Sequence, residues 1–315
     1  MDVTVIIPHY NSTATLKRLI QSIPCVPNLE VIVVDDRSSI DDAENMIRNI
    51  KCKNYTYFVN NRTNKGAGVC RNIGLELAKG KWVLFADSDD YFQEKFFETI
   101  SNYITTSNDV IFFPPTSLDS ATKKTSNRHI TYRNLLENFK GKKNISSELK
   151  LRYCFYPPWS KLIRKKFLEN NHIFFDQVEA SNDIMFSTKV GHYMRSFVVS
   201  DETIYTVVRT KGSLTMNTSL NVFESRLHAH IRYCNFLRTN LEKQQLKYFD
   251  LKGTGFVANI IKYRLGLKTL FKTIRLLRKS KIKILHFNML NPIFLIKKFT
   301  YHLKKHKANK NYYCS

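Results

Sequence analysis

Val31-Ile32-Val33-Val34-Asp35-Asp36 is an apolar run closed by two carboxylates, and Trp82-Val83-Leu84-Phe85-Ala86-Asp87-Ser88-Asp89-Asp90 repeats the arrangement further along. Both runs read as buried strands. Carboxylates packed this densely repel one another and resist burial, so a chain that sets them at the ends of core strands needs a cation or hydrogen-bond donors there. In Asp-x-Asp at a strand end the two side chains point to the same side, which suits a hard divalent cation such as Mn²⁺ or Mg²⁺. Open α/β sheets bind ligands beyond the carboxyl ends of their strands. Together these features point to a metal-chelated, phosphate-bearing ligand. Acidic residues after strands also cap helices, and Asp90 ahead of Tyr91-Phe92-Gln93-Glu94 has that reading open to it.

Working outward from these two runs gives a regular alternation. Strands are predicted over Val3–Ile7, Leu29–Val34, Tyr55–Val59, Trp82–Ala86 and Asp109–Phe113. Helices fall between them over Thr13–Ile23, Asp41–Ile50, Val69–Ala78 and Phe92–Tyr103. Such alternation predicts an α/β fold: a Rossmann-like, mostly parallel sheet with helices on both faces and right-handed crossovers.

The 315 residues are 43% hydrophobic, enough for one large core and a smaller companion. The six cysteines stand at irregular intervals without a Cys-x-x-Cys pair, which predicts free thiols in a reducing, cytosolic setting. The apolar start is one strand long and meets Pro8, so it does not read as a signal peptide. Charge is unevenly placed. Residues 251–315 hold 16 Lys or Arg and no Asp or Glu, so 16 of the net +24 lies there and +8 is left for residues 1–250. The tail reads as a basic module on an ordinary domain.

The stretch Asn64-Lys65-Gly66-Ala67-Gly68-Val69-Cys70-Arg71-Asn72-Ile73-Gly74 fails the dinucleotide fingerprint, because Arg71 stands where the third glycine belongs. It can still bring backbone amides, Lys65 and Arg71 to a helix N-terminus as an anion site, or form a plain surface turn.

Four blocks in order, Val5-Ile6-Ile7-Pro8-His9-Tyr10-Asn11, Val33-Val34-Asp35-Asp36-Arg37-Ser38, Asn64 through Trp82, and Phe85-Ala86-Asp87-Ser88-Asp89-Asp90, resemble the inverting glycosyltransferases of family 2 with the GT-A fold. The resemblance implies a nucleoside diphosphate sugar donor, usually a UDP-sugar, and Mn²⁺ or Mg²⁺. It sets Pro8, Tyr10, Asn11 and Asp36 around the nucleoside, with Asp36 accepting from the base. Asp89 then holds the metal, and Asp87 beside it faces the ribose or sugar. The chemistry agrees, since a departing diphosphate gains negative charge that a divalent cation and basic side chains stabilise.

An inverting transfer also needs a base for the acceptor hydroxyl. Phe174-Phe175-Asp176-Gln177-Val178-Glu179-Ala180-Ser181-Asn182-Asp183-Ile184 is similar to the family's acceptor-side block, which places Asp183 as the base and Glu179 near the acceptor. Asn182 replaces the usual acidic neighbour, and Asp183 could instead cap the helix that follows. Pro157-Pro158-Trp159-Ser160-Lys161 resembles the segment ahead of that block, where Trp159 can stack on a sugar face or fill core. Tyr205 through Thr215 looks like the family's closing block, with Arg209 and Lys211 either gripping the diphosphate or solvated on a lid.

These readings divide the chain into a catalytic domain over 1–220 and a helical basic region over 221–315. Within the first, 1–115 bind the nucleotide sugar and 116–220 the acceptor. Val222–Phe249 has helical spacing suited to packing on the main domain, and Phe256 through Leu277 traces a basic amphipathic helix. Ile282–Phe299 is apolar but interrupted by Lys283, Asn288, Asn291 and Pro292, which makes it a poor membrane span. Lying on an anionic membrane surface suits both segments better, and predicts a cytoplasmic, peripheral protein at the inner face of the cell membrane. Bacterial members of the resembled family commonly act there on lipid-diphosphate-linked glycans in surface polysaccharide biosynthesis, such as capsule and lipopolysaccharide. A nucleic-acid-binding protein is the competing class, but the strand-end carboxylates would repel its phosphates. A noncatalytic sugar-nucleotide binder would keep the donor residues and have no use for Asp183.

Overall fold

The computed structural model describes residues 1–39, 42–210 and 217–284. The two acid-capped runs lie near the centre of one sheet. β1 (Val3–His9) is flanked by β2 (Leu29–Asp35) on one side, and α1 (Thr13–Gln21) connects the two. After α2 (Ala43–Arg48) comes β3 (Tyr55–Val59) on the outer side of β2, and α3 (Ala67–Leu77) returns the chain to β4 (Trp82–Phe85) on the free side of β1. All four strands are parallel, and every residue of β1, β2 and β4 is buried, which requires cover on both faces. Because the chain turns opposite ways from β1, the carboxyl ends of β1 and β4 border a crevice at the switch point.

The second half widens this sheet and adds another. β5 (Tyr91–Phe92) is followed by α4 (Phe96–Ser101), β6 (Val110–Phe112) and β7 (Thr116–Asp119). Then come α5 (Ile130–Lys142), α6 (Ile145–Cys154), β8 (Lys161–Arg164), α7 (Lys165–Asn170), α8 (Asn182–Tyr193), β9 (Phe197–Val199) and β10 (Tyr205–Arg209). The large sheet runs β3-β2-β1-β4-β8-β6-β9, with β8 alone antiparallel to its neighbours, and β5-β10-β7 form a small sheet. The predicted helix from Phe92 starts only at Phe96. Its first residues pair with β10 instead, because the Asp90 carboxylate takes the Val208 N–H and draws the chain alongside that strand.

α9 (Leu220–Asn240) packs on α8, so the first compact unit extends from Met1 to Phe249, past the boundary expected at 220. Residues 250–315 form the second unit, whose described part holds α10 (Thr254–Lys262) and α11 (Gly266–Lys279). The single amphipathic helix expected there is broken, since Arg264 (φ 54°) and Gly266 (φ 83°) turn left-handed between the two. In α11 Thr269 and Thr273 are buried, while Leu267 and Phe271 are 70% and 68% exposed. The Ile282–Phe299 stretch lies outside the described residues from 285 onward.

The expectation of free thiols is corrected at two cysteines, since Cys25 and Cys52 are joined in a disulfide. Each stands just ahead of one of the adjacent parallel strands β2 and β3, so the topology brings together cysteines that lie 27 apart in sequence. Cys70, Cys154 and Cys234 are not disulfide-bonded.

Candidate active site

A cavity of about 750 Å³ opens over the carboxyl ends of β1 and β4. Pro8, Tyr10, Asp36, Arg71, Asp87 and Asp89 line it on one side, Trp159 and Asp183 on the other. Asn11 lies outside it and ties two loops: its N–H donates to Ser38 Oγ at 2.8 Å, and its Oδ1 accepts from the Ser39 N–H at 3.0 Å. Lys65 is also outside, with its ammonium 5.8 Å from the Tyr10 ring centre. Glu179 is exposed and away from the cavity, Arg209 ends β10 beyond it, and Lys211 lies outside the described residues.

The carboxylates divide their work by what holds them. Asp36 accepts from Asn60 Nδ2 at 2.8 Å and from the Gly66 N–H at 2.7 Å, so the entrance to α3 is fastened to the end of β2. Asp90 is structural. Its oxygens accept from the Val208 N–H at 2.7 Å and the Tyr205 hydroxyl at 2.9 Å, and Tyr205 Oη in turn accepts from the Asp87 N–H at 2.8 Å. It therefore does not cap α4, and burial first, then Asp89 and Asp87, raises its pKa well above the ordinary value. Asp89 is pushed up too, by burial and then by Asp87, against the lowering influence of Arg128 and Arg18.

These oxygens fit a hard cation. One Asp87 oxygen is engaged by Arg71, which leaves the other, together with the Asp89 carboxylate whose charge Asp87 disfavours. A divalent cation relieves that repulsion. Among the described residues no group of three or more acidic, His or Cys side chains forms a closed metal cage. Donor oxygens and water would complete a shell, as Mg²⁺ ordinarily requires.

Arg71 is the seam. It is buried; Nη2 bonds Asp87 Oδ1, Nη1 donates to Asn182 Oδ1 at 2.8 Å, and the guanidinium lies 5.3 Å from the Phe175 ring centre. Asn182, the departure from the family pattern, is thus an acceptor for a cation, where a second carboxylate would have added charge beside Asp183. Gly68, one turn before Arg71, allows the contact. A Cβ there would lie 2.2 Å from the Asp176 carbonyl oxygen.

Asp183 stands in the first turn of α8 and does not cap it, since Ser181 (φ 60°) holds the N-cap position. Burial raises its pKa; Arg71 and Lys161 pull the other way, and Asp87 adds to the rise. A carboxylate tuned upward is a better proton acceptor near neutral pH. Trp159 is buried with one face stacked on Tyr205, ring centroids 5.8 Å apart, and its edge meets Tyr132 at 5.4 Å. Both readings of Trp159 hold in part: it packs as core and still lines the cavity. Arg128, Tyr132, Tyr156 and Arg226 line the cavity as well and were not singled out from the sequence: Arg128, Tyr132 and Arg226 sit in polar or helical stretches with no motif, and Tyr156 stands one residue ahead of the Pro157–Lys161 block.

The family model for glycosyl transferase family 2 matches residues 4–171, more than half the chain, and the protein belongs to that family. The chain is 23% identical over 258 residues to the putative glycosyltransferase EpsH of Bacillus subtilis, covering 78% of this chain and 72% of EpsH. It is 36% identical over 116 residues to WfaP of Escherichia coli, a UDP-Glc:alpha-D-GlcNAc-diphosphoundecaprenol beta-1,3-glucosyltransferase, covering 32% of this chain and 45% of WfaP. Residues 1–349 of TarS from Staphylococcus aureus, solved with UDP-GlcNAc, superpose with a TM-score of 0.69 at 21% identity, over 89% of this chain and 80% of that one. The mostly parallel sheet is therefore the GT-A architecture. TarS as a whole, a poly(ribitol-phosphate) beta-N-acetylglucosaminyltransferase, is longer, and the chain spans 47% of it.

Proposed function

We propose that this chain is an inverting glycosyltransferase that moves a sugar from a UDP-sugar to a hydroxyl of a lipid-diphosphate-linked glycan in surface polysaccharide biosynthesis. The observation that carries the reading is Asp183 facing the same cavity as Asp36, Asp87 and Asp89, with Arg71 bridging the two sides. Asp36 receives the base, and Pro8 and Tyr10 border the nucleoside. Asp183 takes the proton of the acceptor hydroxyl while its oxygen attacks the anomeric carbon from the face opposite the diphosphate. The bond to the diphosphate breaks, the leaving group keeps the electron pair, and the configuration inverts. Asp89, with the second oxygen of Asp87, would hold Mn²⁺ or Mg²⁺, which when bound neutralises charge on the leaving diphosphate. The UDP-GlcNAc bound to TarS and the diphosphoundecaprenol-linked acceptor in the name of WfaP support the donor and acceptor classes.

The test is UDP binding by calorimetry with and without Mn²⁺, followed by transfer from UDP-sugars to lipid-diphosphate-linked acceptors. Metal-dependent binding that Asp89→Ala abolishes is expected. No UDP binding and no transfer by folded protein would sink the reading.

The acceptor class sets the protein at a membrane. No described helix is long and apolar enough to cross one. The exposed Ile261, Leu267 and Phe271, among lysines and arginines with no acidic residue after position 250, suit shallow contact with anionic lipid instead. Flotation with anionic vesicles should weaken in Leu267→Ser/Phe271→Ser. Equal flotation of both proteins, or preference for nucleic acid at the same salt, rejects the contact.

A further inference from the structure

Lys161 is the one buried lysine among the described residues, at 1% exposure in the first position of β8. Its ammonium donates to the Phe155 carbonyl at 2.7 Å and to Ser187 Oγ at 2.9 Å, and lies 5.1 Å from the Phe155 ring centre. Ser187 Oγ passes a hydrogen bond on to the Tyr156 carbonyl. One cation therefore fastens two successive carbonyls to α8. Those carbonyls begin the wall formed by Tyr156, Pro157, Pro158 and Trp159, which lines the cavity. Ser187 lies four residues after Asp183, so Lys161 meets α8 one turn from Asp183 on the same face. Ser160, between wall and strand, is held left-handed at φ 58°, a conformation that persists only where its surroundings fix it. A buried ammonium is an expensive way to fill this space, which an apolar chain of similar length would occupy more readily.

We propose that Lys161 is a positioning residue that seats the acceptor wall on α8 and supplies positive charge that keeps the Asp183 carboxylate able to accept a proton. The proposal rests on the reading of Asp183 as the base. Four groups act on or respond to Asp183: Arg71 from α3, Asp87 from the end of β4, Tyr132 from α5 and Lys161 from β8. Arg71 is committed to Asp87 and Asn182. Lys161 is the other cation lowering the Asp183 pKa, and burial brings Lys161 itself down to about 7 while the Asp183 charge holds it up. Each group thus favours the charged form of the other, and the pair works where the lysine is protonated and the carboxylate is not.

The test compares the acid limb of the kcat/KM pH profile in wild type, Lys161→Met, Lys161→Arg and Asp183→Asn. In Lys161→Met the limb should move to higher pH by about one pH unit, a tenfold loss of rate on the acidic side. Acceptor KM should rise while donor affinity stays unchanged. Lys161→Arg, which keeps the charge, should return the limb toward wild type. A limb that Lys161→Met leaves in place, while Asp183→Asn removes it, overturns the proposal and leaves the base reading standing. A limb that survives in Asp183→Asn overturns the base reading itself. Should Lys161→Met fail to fold, Ser187→Ala decides. It breaks the link to Tyr156 and takes one acceptor from the Lys161 ammonium, so acceptor KM should rise with donor affinity unmoved, and an unchanged acceptor KM rejects the positioning role.

Discussion

The two halves of the first unit, which the proposal reads as donor and acceptor sides, hold their charges differently. On the donor side Asp36 and Asp87 follow strands β2 and β4 and Asp90 precedes β5, and they are met by backbone N–H groups, Asn60, Tyr205 or Arg71, so each of these carboxylates has fixed donors aimed at it. On the acceptor side burial pushes Asp183 and Lys161 toward their neutral forms, as it does Asp89 and Asp90, but here a carboxylate and an ammonium feel each other's charge. Fixed donors make a rigid anion-and-cation cradle. Burial raises the Asp183 pKa, and a carboxylate so raised is the stronger base.

The largest effect should come from separating the halves at Asp183. Asp183→Asn keeps the shape and removes the proton acceptor, so kcat should fall by about 10² to 10⁴ with donor affinity nearly intact. Single-turnover kinetics beside calorimetry of UDP binding measures both. A loss shared equally by turnover and donor binding would show that the halves are not separable.

The next effect separates adjacent acids. Asp90→Ala strips the Val208 N–H and the Tyr205 hydroxyl of their acceptor, and should lower stability by about 3 kcal/mol in urea unfolding. Asp89→Ala removes a carboxylate that accepts from its own backbone N–H and faces Arg128 and Arg18, and should change unfolding less than Asp90→Ala while abolishing metal-dependent donor binding. Equal losses of stability would deny the division of labour within the cluster.

Much of the donor half was legible because its signals are contiguous. A parallel strand buried on both faces is an unbroken apolar run, and β1, β2 and β4 each read as one from neighbouring residues. The acceptor half is built from two- to five-residue strands whose partners lie far away in sequence. Asp90 and Val208 are 118 residues apart, so the helix expected from Phe92 gave way to β5 for a reason no local window contains. The same holds for the Cys25–Cys52 pairing and the burial of Lys161. Asp183 and Trp159, singled out through block order, line the cavity, as do Arg128 and Arg226, which carry no motif. Glu179, singled out with the same acceptor-side block, is exposed.

The third effect tests the seam. Gly68→Ala sets a methyl 2.2 Å from the Asp176 carbonyl oxygen and 2.9 Å from Asn182 Cβ, so α3 and the segment before α8 must part. A stability loss of about 2 kcal/mol is expected, with donor and acceptor affinity falling together as Arg71 loses Asn182. A change confined to one substrate would place the coupling elsewhere than Arg71.

The smallest effect sharpens the contrast between the two cations that flank Asp183. Arg71 is paired with the Asp87 carboxylate, whereas Lys161 donates to a carbonyl and a hydroxyl. Lys161 falls from an ordinary 10.5 to about 7 in the folded protein. Between those values the unfolded chain binds more protons at this site than the folded one, so stability should rise with pH across that window. Below about 7 both states carry the proton and the burial penalty is felt in full. The rise can reach about 1.4 kcal/mol per pH unit. Other groups titrate in the same range, so the informative quantity is the difference between wild type and Lys161→Met, followed by urea midpoints from pH 6 to 9. Wild type should gain on the variant as pH increases. Parallel curves would mean that Lys161 keeps its proton as readily as an exposed lysine, and that the acceptor half, like the donor half, holds its cation at no cost that pH can reveal.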